Sequence, residues 1–190
     1  MQWNDEGYLL SKNNYDENSI IIEVFTLEHG KCSGVVYGGS SRKQKKIFQT
    51  GNKILLEWKS KNENKSGYFK VELIKPVSPQ YFDDKKRSVC ILSATSILKI
   101  LLPERQINKK VYISFEKMIE ALKFDDWIKI YINWELSLIK ELGYESITSI
   151  KHHSTKKALI FNRNLLMENF ILPNRLKFPL FRNILENYFI

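Results

Sequence analysis

Apolar and polar residues alternate through the first part of the chain at the period of two expected of half-buried strands. Residues 7–12, 19–26, 32–37, 53–59 and 68–74 each read as a strand, with Ile54, Leu56 and Trp58 on one face of the fourth. Asn13, Asn14, Asp16 and Asn18 form the first turn, Glu28-His29-Gly30-Lys31 the second, and the polar run 61–67 the last. Five short strands without helical spacing among them predict a small closed barrel of the OB type. The pattern alone leaves open an SH3-like barrel or a ribbon packed on the rest of the chain.

The period changes after Lys75-Pro76-Val77-Ser78-Pro79, where two prolines end the last strand. From there apolar residues recur every three or four positions, predicting helices over 80–102, 111–124 and 127–142, with weaker ones over 162–170 and 178–190. The expected fold class is α+β, an N-terminal five-stranded OB-fold barrel over 1–75 followed by an all-α helical bundle over 76–190. Trp127, Tyr131 and Trp134 fall at helical spacing and read as core of the bundle, as Trp58 and Phe69 do of the barrel.

Composition narrows the partners. Thirty Lys and Arg against 21 Asp and Glu give a net charge of +9, which favours a polyanion. No apolar run is long enough to cross a bilayer, and the N-terminal residues are acidic where a secretion signal is basic, so the expected location is the cytoplasm, without membrane attachment. Cys32 and Cys90 are the two cysteines, too few for a zinc finger and too far apart for a C-x-x-C pair; both read as reduced and structural.

The strongest chemical signal lies between the third and fourth strands, in Tyr-Gly-Gly-Ser-Ser-Arg-Lys-Gln-Lys-Lys-Ile-Phe from Tyr37 to Phe48. Glycine and serine predict a flexible loop, and Arg42, Lys43, Lys45 and Lys46 place four cations in five residues, suited to phosphates. Tyr37 and Phe48, beside those cations, are the candidates for stacking on unpaired bases. Seven further cations, Lys151, Lys156, Lys157, Arg163, Arg175, Lys177 and Arg182, form a second basic cluster. The loop lacks the Lys-Ser/Thr pair of a P-loop. Asp83-Asp84 and Asp125-Asp126 read as helix caps; as metal ligands they would make a nuclease, and His152-His153-Ser154 has no acid partner at a useful spacing. No catalytic residue, metal or cofactor is expected.

Taken in order, Trp3-x-Asp5-Glu6-Gly7, Leu10-Ser11, Glu17-x-Ser19, Thr26-x-Glu28-His29-Gly30, Gly38-Gly39-x-Ser41-Arg42, Gln49-x-Gly51-Asn52 and Trp134-Glu135-Leu136-x-Leu138-x-x-Glu141-Leu142-Gly143 resemble the bacterial RecO family of DNA repair and recombination, especially its alphaproteobacterial form. The resemblance implies an OB-fold followed by a helical domain, binding to single- and double-stranded DNA, and annealing of complementary strands. It implies partnership with RecR and in some lineages RecF, loading of RecA, and docking of the acidic tail of single-strand-binding protein on the helical domain. It places Arg42, Lys43, Lys45 and Lys46 in the family's basic DNA-contacting loop. Many relatives carry a cysteine-bearing, sometimes zinc-binding insertion after the position of Gly143. This chain has no cysteine there, while 172–188 still resembles the family's terminal helix, so zinc is not expected.

Overall fold

Five strands close on themselves in the order β1-β2-β3-β5-β4 in the computed structural model, which describes residues 1–42, 44–60, 67–143 and 154–189. They are β1 (Gln2–Asn14), β2 (Ser19–Thr26), β3 (Gly30–Tyr37), β4 (Lys53–Lys59) and β5 (Gly67–Lys75). Closure comes from β1, which pairs antiparallel with β2 through one half and with β4 through the other, while β3 and β5 meet in parallel. Leu9, Ile22, Val24, Ile54, Leu56 and Phe69 fill the interior, and the alternation along β4 buries Ile54, Leu56 and Trp58 as expected.

β1 is longer than the pattern predicts, because Trp3-Asn4-Asp5-Glu6 looks polar yet pairs along β4 from Gln2↔Lys59 to Glu6↔Leu55. Asp5 is buried there, its carboxylate accepting the amides of Glu6 (2.8 Å) and Glu28 (2.9 Å) and the His29 Nδ1–H (2.9 Å). A buried polar group satisfied in this way is tolerated inside a strand.

A short 3-10 turn (Ser78–Tyr81) leads to the helices α1 (Lys85–Leu101), α2 (Lys109–Ala121), α3 (Trp127–Glu141), α4 (Thr155–Leu166) and α5 (Leu180–Asn187), with one π turn (Met167–Ile171) prolonging α4. The first predicted helix begins later than expected because Asp84 caps α1, its carboxylate accepting from the Arg87 amide at 3.0 Å. Burial alone would raise the Asp84 pKa, but that amide and the Arg87 guanidinium more than offset it and hold the carboxyl below its ordinary range. Asp126 occupies the equivalent position before α3 without making a cap bond, so it contributes there only through its charge.

One apolar cluster joins the barrel to the helices. Leu9 points into the barrel, whereas its neighbours Tyr8 and Leu10 join the cluster shared with the helices, where the Tyr8 ring meets Tyr112 and Phe115 of α2 and the Phe25 ring meets Tyr112. The Tyr8 hydroxyl donates to Glu116 (3.1 Å), and Lys53 binds the same carboxylate (2.8 Å) as well as Glu6 (2.6 Å). Burial and the Glu116 charge push the Tyr8 pKa upward, keeping it a donor. Cys32 and Cys90 are free and buried; burial raises both thiols, Cys32 to about 11, which suits structural and not reactive cysteines.

α5 is fastened by charge. The Arg182 side chain is fully buried and donates to both carboxylate oxygens of Glu135 (2.6 and 3.1 Å), to Glu186 (3.1 Å) and to the Leu159 carbonyl (2.8 Å). Tyr131 adds a bond to Glu135 (3.0 Å), and Arg163 one to Glu186 (3.2 Å), so two arginines balance two glutamates. Removing one member of such a group strands a charge away from water. Arg182→Leu is therefore expected to destabilise the fold by ~3 to 5 kcal/mol in urea unfolding, well beyond the effect of Arg175→Leu at an exposed site.

Candidate nucleic-acid interface

The chain leaves β3 at Tyr37, turns at Gly38 with φ of +73°, and builds a hydrogen-bonded corner where composition predicts freedom. Ser41 N–H donates to the Gly38 carbonyl (3.2 Å), Gln44 N–H to Ser41 (3.0 Å), and the Ser40 hydroxyl to the Glu17 carbonyl (2.9 Å). A 3-10 turn follows at Gln44–Lys46. Arg42, Lys45 and Lys46 are exposed on this corner; Lys43 lies outside the described residues.

Phe48 is not a contact residue. Its ring is 1% exposed and belongs to the barrel core, so it anchors the returning limb of the loop instead of stacking on a base. Next to it Asn52, fully buried, donates from Nδ2 to the carbonyls of Lys46 (3.3 Å) and Ile47 (3.1 Å) and accepts on Oδ1 from the amides of Val77 (2.9 Å) and Ser78 (3.2 Å). Ser78 also donates its hydroxyl to the Thr50 carbonyl. Gly51, at φ of +91°, lets this junction approach α1: a Cβ there would meet Ile91 Cγ2 at 2.3 Å. The basic corner is thus tied at its base both to the barrel and to the segment that starts the helices.

Tyr37 meets the expectation of an accessible ring, at 69% exposure. It pairs with Tyr68 of β5 at 6.0 Å between centroids, and Tyr68 is itself 37% exposed. Register puts Tyr68 beside Val35 and Lys59, while exposed Lys70 follows it on the same face of β5. The alternation that buries Phe69 leaves Tyr68 and Lys70 on the outer face of β5, and register alone brings Tyr68 to Tyr37.

A further cation reaches the corner through the fold. Lys12, from the far end of β1, shares with Lys45, Ser40 and Asn14 a hollow of about 300 Å³. Partial burial, and then the nearby Lys45 charge, lower its pKa, the response of an ammonium held near a like charge. Lys53, Lys59, Lys99 and Lys109, by contrast, are paired with carboxylates. Among the described residues, Arg42, Lys45 and Lys46 have no ion pair. The second predicted cluster is less available: Arg182 is buried and Arg163 is engaged by Glu186, although Lys156, Lys157, Arg175 and Lys177 are exposed. Lys151 and His152-His153 lie outside the described residues. No group of three or more metal-ligating side chains occurs among the described residues, and no helix there is long and apolar enough to cross a membrane.

The comparisons with known proteins agree with this geometry. Residues 1–77 match the family model described as Recombination protein O N terminal, and residues 83–158 match Recombination protein O C terminal. The chain belongs to the RecO family. It is similar to the DNA repair protein RecO of Roseobacter denitrificans, at 35% identity over 145 residues, covering 76% of this chain and 60% of that protein. The DNA repair protein RecO of Wolbachia pipientis subsp. Culex pipiens is 32% identical over 161 residues, covering 80% and 66%. A Cereibacter sphaeroides RecO is 35% identical over 144 residues, covering 76% and 60%. The chain spans less than two thirds of the length of each of these three relatives.

Several residues that carry the RecO resemblance prove to be structural fastenings. Thr26 Oγ1 donates to the Gly30 carbonyl (3.1 Å) and accepts the His29 amide (3.2 Å), Asp5 fixes His29, and Glu135 is the counter-charge of Arg182. Asn52 is the fastening closest to the interface. Asn52→Ala leaves the buried Val77 amide and the half-buried Ser78 amide without this acceptor and is expected to cost ~1 to 3 kcal/mol in urea unfolding, with faster hydrogen exchange at Ile47 and Phe48.

Proposed function

We propose that this chain is a non-enzymatic DNA repair and recombination mediator, which binds single- and double-stranded DNA, anneals complementary strands and helps load RecA on DNA coated by single-strand-binding protein. The observation that carries it is the meeting of Arg42, Lys45, Lys46 and Lys12, cations without an ion pair among the described residues, with the exposed Tyr37–Tyr68 pair on an OB-fold barrel. Cations on two strands screen the repulsion that keeps complementary bases apart, and rings hold bases unpaired until they meet. The names and family of its relatives point the same way. Work divides between residues 1–75, which engage DNA, and 76–190, which grip the acidic tail of single-strand-binding protein; RecR and, where present, RecF are the other partners, in the cytoplasm at the nucleoid.

A nuclease built on the aspartate pairs is the rival reading, and Asp84 is already committed to the α1 cap and to Arg87 Nη1 at 2.5 Å. Metal-dependent cleavage abolished by Asp125→Asn would favour it. An RNA-binding module would prefer RNA over DNA of one sequence in competition.

Replacing Arg42, Lys43, Lys45 and Lys46 by alanine is expected to slow annealing and to flatten the dependence of log affinity on log salt, by roughly 0.7 for each single-strand phosphate left without its cation. Unchanged annealing and an unchanged slope would refute the reading. Tyr37→Ala and Tyr68→Ala are each expected to weaken single-strand binding by ~1 to 3 kcal/mol while leaving that slope in place, measured by fluorescence anisotropy. Capture of the acidic tail peptide by the full chain tests the helical half.

A further inference from the structure

β5 closes the barrel against β3 over two residues, with Gly34 beside Gly67 and Val35 beside Tyr68. Beyond them β5 runs on with β4 along one side, from Lys59↔Tyr68 to Lys53↔Lys75, and among the described residues no strand pairs with its other side. Residues 69–73 keep regular pairing with β4 before the bulge between Lys53 and Ile54, so the regular part of this open edge is roughly 17 Å long.

The side chains on that edge are those of an interior left without its cover. Register sets Val71 beside Leu56 and Leu73 beside Ile54, and both partners are fully buried in the barrel core. Val71 and Leu73 therefore stand at inward positions, yet Val71 is only half-buried and Leu73 is 37% exposed. Ile74, at the bulge, is a further exposed apolar side chain. On the outer face Lys70 and Glu72 are exposed two positions apart; Lys70 reaches Glu57 only at 3.9 Å, and Glu72 has no ion pair among the described residues. An unpaired edge with apolar residues inward and charges of both signs outward is a template for another strand.

We propose that this edge joins two copies of the chain, their β5 strands pairing antiparallel about a two-fold axis at Val71. The sequence is self-complementary in that register. Lys70 of each copy lies opposite Glu72 of the other, and Phe69 opposite Leu73, so each charge meets its opposite and each uncovered leucine gains an apolar neighbour. A slip of two residues sets Glu72 opposite Glu72 or Lys70 opposite Lys70, and a slip of one sets apolar residues opposite charged ones. Other strands lack this match, which is what selects a second copy. The pairing needs no DNA and does not rest on the reading of the basic corner.

Sedimentation equilibrium of the full-length chain over a concentration series, without DNA, is expected to show reversible passage from one chain to two, and hydrogen exchange at the outward-pointing amides among 69–73 is expected to slow as the dimer fills. Glu72→Lys and Lys70→Glu each oppose like charges twice across the axis, and each is expected to weaken the dimer about tenfold or more. An equal mixture of the two single variants is expected to form a heterodimer, because every cross-strand pair is then of opposite sign. The double variant Lys70→Glu/Glu72→Lys is expected to associate as the unaltered chain does. These two arms separate lost pairing from lost folding, since a misfolded edge would recover in neither. A single-chain mass at every concentration overturns the proposal and leaves the edge to a strand of another protein. A dimer indifferent to both single variants, or a mixture that stays monomeric, overturns it as well.

Discussion

The side chain of Asn52 is the constraint on which the arrangement turns. Its amide donates on one side to the basic corner and accepts on the other from the segment that starts the helices. An amide is the group suited to this position, because it offers two donors and an acceptor without a charge to desolvate. With Gly51 pressed against Ile91 and Phe48 inserted in the barrel, the cations sit on a supported ledge. Backbone freedom given up on folding need not be given up again on binding.

The electrostatic plan is one of exclusion. Glutamates are matched to lysines around the barrel and to arginines inside the helical half, so most of the basic residues with local partners are structural. Among the described residues, cations without an ion pair remain at the corner after β3, in Arg42, Lys45 and Lys46, and in the helical half, in Lys156, Lys157, Arg175 and Lys177. Net charge alone could not say this, since Arg182 counts toward +9 yet never meets solvent.

Much of the fold was legible because local periodicity and tertiary burial agreed. β2 and β4 occupy the predicted residues, and the aromatic spacing of Trp127, Tyr131 and Trp134 marked a buried helix face. Failures occurred where a long-range partner reversed the local signal. Asp5 reads as surface until His29 and two amides surround it, and Arg182 reads as a phosphate ligand until Glu135 does. Phe48 was misjudged for a related reason: its neighbours in sequence are cations, but its neighbours in space are core. Lys12 and Tyr68 reach the interface only through strand register, which no single stretch of chain encodes.

The outward aromatic flank of the barrel has a practical corollary. Tyr8, Leu10 and Phe25 are buried in the cluster they share with the helices, so a fragment cut after β5 would wear an oily stripe along β1 and β2. Such a fragment would self-associate through that stripe, and its behaviour in a gel-shift lane would report stickiness before it reported recognition. An isolated barrel that behaves as a monomer calls for polar substitutes at those three positions, chosen to spare the inward-facing Leu9 between them.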